Sequence, residues 1–157
     1  REVIPLSKLV ATGFDFLIGL AVLVLLLIAY QAPVTATWAA VPGIVAVQIM
    51  FTTGVVLLSS ALYVLKRDLG SLLPLALQIG MFLSPVVYPV SLVPERYQAL
   101  YLLNPMAAIM EAYRSVILFG HLPSLAGMVP VFVISVAVLL FGYAYFKAVE
   151  PRFADVM

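Results

Sequence analysis

The 157-residue sequence contains no cysteine, a single histidine, a single tryptophan and only 10% charged residues. Without cysteine the chain forms no disulfide, no thiolate metal site and no cysteine nucleophile. His121 stands between Gly120 and Leu122 with no second metal ligand near it in sequence, so a solvated loop residue is expected there. Neither G-x-S-x-G nor a Walker A pattern occurs. No pair of carboxylates lies inside an apolar run, which speaks against a proton relay. No GxxxG is present to dimerise helices. These absences disfavour a secondary transporter and a membrane enzyme; any uphill work by this chain needs energy from another subunit. A net charge of +1 gives no reason to expect nucleic acid as a partner.

What is present in quantity is hydrocarbon. The chain is 65% hydrophobic with a mean hydropathy of +1.20, whereas a soluble domain carries about 25% charged residues. Four apolar runs, at about 9–30, 39–65, 69–89 and 124–146, are long enough to cross roughly 30 Å of lipid. Each is expected to be helical, because lipid offers the backbone no hydrogen-bond partner. The expected fold is therefore an all-α integral membrane domain covering 1–157. The chain opens on Arg1 without a Met, and Arg1 to Lys8 lead straight into a full-length span. No signal peptide is expected there, and a further N-terminal portion is expected to precede it.

Charge in the short flanks sets the orientation. With four crossings, one side holds Arg1, Lys8, Lys66, Arg67, Lys147 and Arg152, and the other only Arg96 and Arg114. The positive-inside rule puts the first side, and both ends of the chain, in the cytoplasm. Tyr30, Trp38 and Tyr88 then fall at outer ends, with Tyr63 and Tyr145 near inner ends, the distribution of an interfacial aromatic belt. Ordinary packing serves equally for any one of them.

Between the third and fourth runs lies a charged, interrupted stretch, "VPERYQALYLLNPMAAIMEAYR", residues 93–114. Pro94 suits the first position of a helix, and Glu95 complements its positive end. A short helix over 94–103 is expected. Asn104 is a good N-cap and Pro105 a good opener for a second helix over 106–118, with Gly120 as its stop. A ten-residue helix is roughly 15 Å long, half the hydrocarbon thickness. Leu100, Leu103, Met106, Ile109 and Met110 supply apolar faces, while Glu111 and Arg114, three apart, are placed to pair. Two half-length amphipathic helices predict a re-entrant or interfacial hairpin on the outer side, acceptable where protein or a water-filled cavity surrounds it. The alternative is an amphipathic loop lying on the membrane with no part in transport.

The third run fits the hairpin. Pro74, Pro85 and Pro89 interrupt it, with Gly80 between, and a helix kinked by proline near its outer end leaves room for one. Asp15, a turn or two into the first run, either needs a partner or reaches the headgroups. Gln48 and Gln78 lie deeper. Thr52, Thr53, Ser59 and Ser60 on the second run are read as packing residues ahead of a substrate lining.

Four segments in this order, "REVIPLSKLV", "KRDLGSLLPLALQIGMFLSPVVYP", "YLLNPMAAIMEAYRSVILFG" and "FKAVEPRFADVM", resemble the type-2 ABC exporter permeases, in particular the branch that exports O-antigen, capsular and teichoic-acid polymers. The resemblance covers essentially the whole chain. It implies a six-span subunit with an N-terminal amphipathic helix, of which this sequence matches the last four spans. It implies that the turn at Arg1–Ser7, with Arg1, Glu2 and Pro5, and the turn at Lys66, Arg67 and Asp68 couple to an ABC ATPase subunit. It implies that the interrupted stretch corresponds to paired gating helices, so that Gln78, Tyr88, Glu95, Arg96, Tyr97, Tyr101, Asn104, Pro105, Glu111 and Arg114 lie along the substrate path or outer gate. The implied assembly is a homodimer of permeases in the bacterial cytoplasmic membrane, with ATP and Mg on the partner ATPase, no cofactor on this chain, and a lipid-linked polysaccharide as cargo. Two other readings compete: a type-2 ABC permease for drugs or lipids, and a membrane enzyme acting on lipid-linked sugars. The enzyme would need converging carboxylates, and Arg96 and Arg114 are set to neutralise Glu95 and Glu111. A purely structural membrane subunit accounts poorly for the broken third run and the hairpin.

Overall fold

The computed structural model describes residues 3–31, 34–65, 69–84, 92, 94, 96–98 and 104–150. Every regular element among them is helical. In chain order they are α1 (Val3–Ala29), a 3-10 segment (Ala36–Ala40), α2 (Val41–Leu65), α3 (Leu69–Leu83), α4 (Pro105–Ile117) and α5 (Leu125–Val149). Among the described residues, three stretches are long and apolar enough to cross a membrane: Ser7–Ala29, Ala36–Val64 and Leu125–Val149. The chain is a multi-pass membrane protein.

The expected third run is helical over Leu69–Leu83, 15 residues, or about 22 Å at 1.5 Å per residue. Pro74 is accommodated inside it. The helix closes at Ser84, whose amide donates to the Met81 carbonyl at 3.3 Å. Pro85 follows, and a residue before proline is pushed out of the helical region. Residues 85–91 lie outside the described residues, as does most of the expected helix at 94–103. Within that stretch, 96–98 are helical, with the Tyr97 amide on the Pro94 carbonyl at 2.8 Å.

α2 and α5 form the most extensive pairing, and they run parallel. Near their starts, Ile44 and Val131 share one buried cluster. Midway, Gly54 abuts the backbone of Val138 and Leu139, and Gly142 abuts Gly54. Near their ends, Leu57 and Ala61 close on Phe146 and Val149. The buried residues of α5, Val131, Ser135, Gly142, Phe146 and Val149, recur at helical spacing on one face. Because the two helices are parallel, the chain returns from the Leu65 end to the Leu125 end between them.

α1 runs back along α2, so that Leu27 near its end meets Ile44 near the start of α2. Much of its length presents apolar side chains outward: Val10, Phe14, Leu17, Ile18 and Leu25 are exposed. Asp15 is exposed as well. Three hydroxyls in the long helices bond their own backbones: Thr12 donates to the Lys8 carbonyl, Thr53 to Ile49 and Ser135 to Val131, at 3.0, 2.7 and 2.8 Å. Trp38 packs against the core cluster, which goes beyond the simple interfacial anchor its position suggested.

Candidate functional site

The chemistry on this chain converges on α4. Its start is built by Asn104. The Asn104 Oδ1 accepts from the Met106 amide at 3.1 Å, relieving one of the donors that a helix N-terminus leaves orphaned. Pro105 occupies the first turn, where a missing N–H costs nothing. The other end of the same side chain, Asn104 Nδ2, donates to Ser84 Oγ at 3.3 Å. One amide therefore caps α4 and ties it to the end of α3, and Ser84 is itself buried.

The end of α4 is equally defined. Arg114 O accepts from the amides of Leu118 and Phe119 at 2.9 and 3.2 Å, and the His121 amide returns to Ser115 O at 2.9 Å. Gly120 takes a left-handed φ of +65°, which a side chain would resist. Thr37, in the 3-10 segment, donates to Val116 O at 3.0 Å, so the carboxyl end of α4 is tied to the lead-in of α2. His121 itself is exposed.

α4 is amphipathic. Ala107, Ala108, Ile109, Ala112, Val116 and Ile117 are buried, and all but Ala107 share a cluster with Leu27, Ile44, Val47 and Val131 from α1, α2 and α5. Tyr113 borders this cluster, and its hydroxyl donates to Gln48 Oε1 of α2 at 2.7 Å. Gln48 lies close to the middle of the apolar stretch Ala36–Val64. It also lines a groove of 460 Å³ between α1 and α2, with Leu9, Phe16, Val45 and Thr52 among its neighbours.

The expected Glu111–Arg114 pair is present, with Arg114 Nη1 and Glu111 Oε2 at 3.8 Å. Glu111 Oε2 is buried and accepts no hydrogen bond, beside a small cavity of 90 Å³ that Ser115, Ser124 and Met128 also line. Arg96 stacks its guanidinium over the Tyr97 ring, 4.6 Å from the centroid, and Tyr97 is half exposed. Gln78 is exposed on α3, and Pro5 falls in the first turn of α1. Arg1, Glu2, Lys66, Arg67, Asp68, Tyr88, Glu95 and Tyr101 lie outside the described residues. The structure thus gathers Asn104, Pro105, Glu111 and Arg114 on one helix. It adds Thr37, Gln48, Ser84 and Tyr113, which no motif singled out; the depth of Gln48 in its run was the one available signal.

Comparison with known proteins follows the same elements. The ABC-2 type transporter family matches residues 4–118, from α1 through α4. Two O-antigen export system permease proteins RfbA of Klebsiella pneumoniae are 27% and 26% identical over 158 residues, covering 100% of this chain and 61% of each relative. The O-antigen export system permease protein RfbA of Myxococcus xanthus is 30% identical over 159 residues, covering 98% of this chain and 60% of the relative. The chain therefore spans about three fifths of the length of these relatives. No solved structure matches it. With a family match reaching across α1, α2, α3 and α4, the chain belongs to the ABC-2 type transporter family.

Proposed function

We propose that this chain forms the greater part of a permease subunit that exports a lipid-linked polysaccharide, of O-antigen, capsular or teichoic-acid type, across the bacterial cytoplasmic membrane. The observation that carries the reading is α4. It is a half-length amphipathic helix inserted among α1, α2 and α5 and hydrogen-bonded to the middle of an apolar span through Tyr113. Such a helix has no task in a passive anchor, and its charged face suits a controlled polar opening. The export-permease names of the relatives supply the cargo class.

In this reading the whole chain is one transmembrane domain. Residues 69–89 make the third of four crossings, which the parallel course of α2 and α5 favours, since the chain must return between them. Residues 94–103 and 106–118 form a re-entrant hairpin with its tip at Asn104 and Pro105. The six-cation side faces the cytoplasm, and both ends of the chain lie there. Arg1, Glu2, Pro5, Lys66, Arg67 and Asp68 transmit the stroke of a separate ABC ATPase, which carries ATP and Mg. Two permease copies enclose the path. Gln78, Tyr88, Glu95, Arg96, Tyr97, Tyr101, Asn104, Pro105, Glu111 and Arg114 line its outer half or its gate. Aromatic rings suit sugars, whose faces present apolar C–H surfaces.

The test is biochemical. The complete subunit, co-purified with its ATPase and reconstituted, is expected to hydrolyse ATP faster when a lipid-linked glycan is supplied. Hydrolysis indifferent to the glycan, or a subunit that recruits no ATPase, counts against the reading.

A further inference from the structure

Three ties hold α4, and they differ in kind. At the carboxyl end, Thr37 binds Val116 O, the His121 amide returns to Ser115 O, and the branched side chains Val116 and Ile117 are buried. At the amino end the tie is Asn104 to Ser84 at 3.3 Å, toward the long side of a hydrogen bond. Between them, three of the four buried residues are alanines, Ala107, Ala108 and Ala112, which interlock little with their neighbours; the fourth, Ile109, packs into the core cluster with Ile44 and Val131. One turn before the carboxyl end of α4, Tyr113 makes a polar link to α2 through Gln48 at 2.7 Å. Water is scarce at that depth, so a broken link leaves a phenol and an amide facing hydrocarbon. Gln48 also lines the groove between α1 and α2.

We propose that the Tyr113–Gln48 hydrogen bond is the latch of α4: while it is made, α4 stays seated against α2, and its rupture frees the middle and amino end of the helix to swing about the fixed carboxyl end at Thr37 and Val116. Both residues act by positioning α4, not by contact with cargo. The proposal rests on the export reading for its purpose but not for its test. Tyr113→Phe and Gln48→Met remove the bond with little change of shape. The full subunit, assembled with its ATPase and freed of any cysteines outside this chain, carries a reporter at Ala112→Cys. In the resting state, without nucleotide, either substitution is expected to raise the rate of labelling by a water-soluble thiol reagent severalfold. The double variant is expected to label no faster than the single ones, because one bond is lost in all three. Unchanged labelling, or rises that multiply in the double variant, would overturn the latch. So would failure of the Tyr113→Phe subunit to accumulate in the membrane, which would assign the bond to folding. Export by the unsubstituted protein is scored separately: its absence sinks the export reading and leaves the labelling result to decide the latch.

Discussion

Gly54 of α2 and Gly142 of α5 meet backbone to backbone. A Cβ built on Gly54 lies 2.6 Å from the amide nitrogen of Leu139, and one on Gly142 meets the Gly54 carbonyl oxygen closer still. Small residues let membrane helices approach in this way, and dispersion contacts between the two backbones then hold them.

Alanine at either position is therefore expected to push the helices apart. Because the obstacles are main chain, no rotamer change relieves them, and the cost is about 1–3 kcal/mol, as for other overpacked sites. Thermal stability of the detergent-purified complex should fall in Gly54→Ala and Gly142→Ala. Gly13→Ala, where nothing lies within 4 Å, should leave it unchanged. Equal melting curves for all three would refute the close crossing.

Asn104 has two duties, one on each end of its amide. Asn104→Ala is expected to cost about 1 kcal/mol through the lost cap and to speed hydrogen exchange at Met106 and Ala107. Asn104→Ser keeps a capping oxygen and should restore slow exchange, while losing the reach to Ser84. Fast exchange in both variants would mean that the tie to α3, not the cap, holds the first turn.

The topology gives a sharper test, since this chain contains no cysteine of its own. In intact cells His121→Cys is expected to react with a membrane-impermeant thiol reagent. Glu150→Cys, at the far end of α5, is expected to react only after permeabilisation. The reverse pattern would invert the protein and remove the basis for an outward-facing hairpin.

In the proposed export reading, Tyr97, with Arg96 over its ring, and Tyr101 lie near the exit. Replacing both by alanine is expected to lower surface polysaccharide severalfold while ATPase association persists. Full export by the double variant would take both rings out of the path.

Local chemistry was legible in the sequence. Asn104, Pro105 and Gly120 marked α4 to within a residue of its observed ends because capping needs only neighbours in the chain. Ser124, where the fourth apolar run begins, proves to cap α5, accepting from the Gly127 amide at 3.2 Å. Hydropathy located the long runs but not every helix end. α1 already begins at Val3, ahead of the apolar boundary, since a polar flank can remain helical. Leu83 ends α3 although the apolar run continues, because Ser84 precedes a proline. What stayed hidden was tertiary. Tyr113 reads as one more aromatic until it meets Gln48, and Gly54 and Gly142 form no local motif because each finds its partner on another helix.

The parallel α2 and α5, pressed together through Gly54 and Gly142, amount to a single stiff strut. Tightly packed interiors compress little, so a load applied where Leu65 and Val149 lie reaches the opposite tip almost undiminished. α4 nests at that opposite tip, against Ile44 and Val131, and is thus among the first parts of the molecule to be displaced.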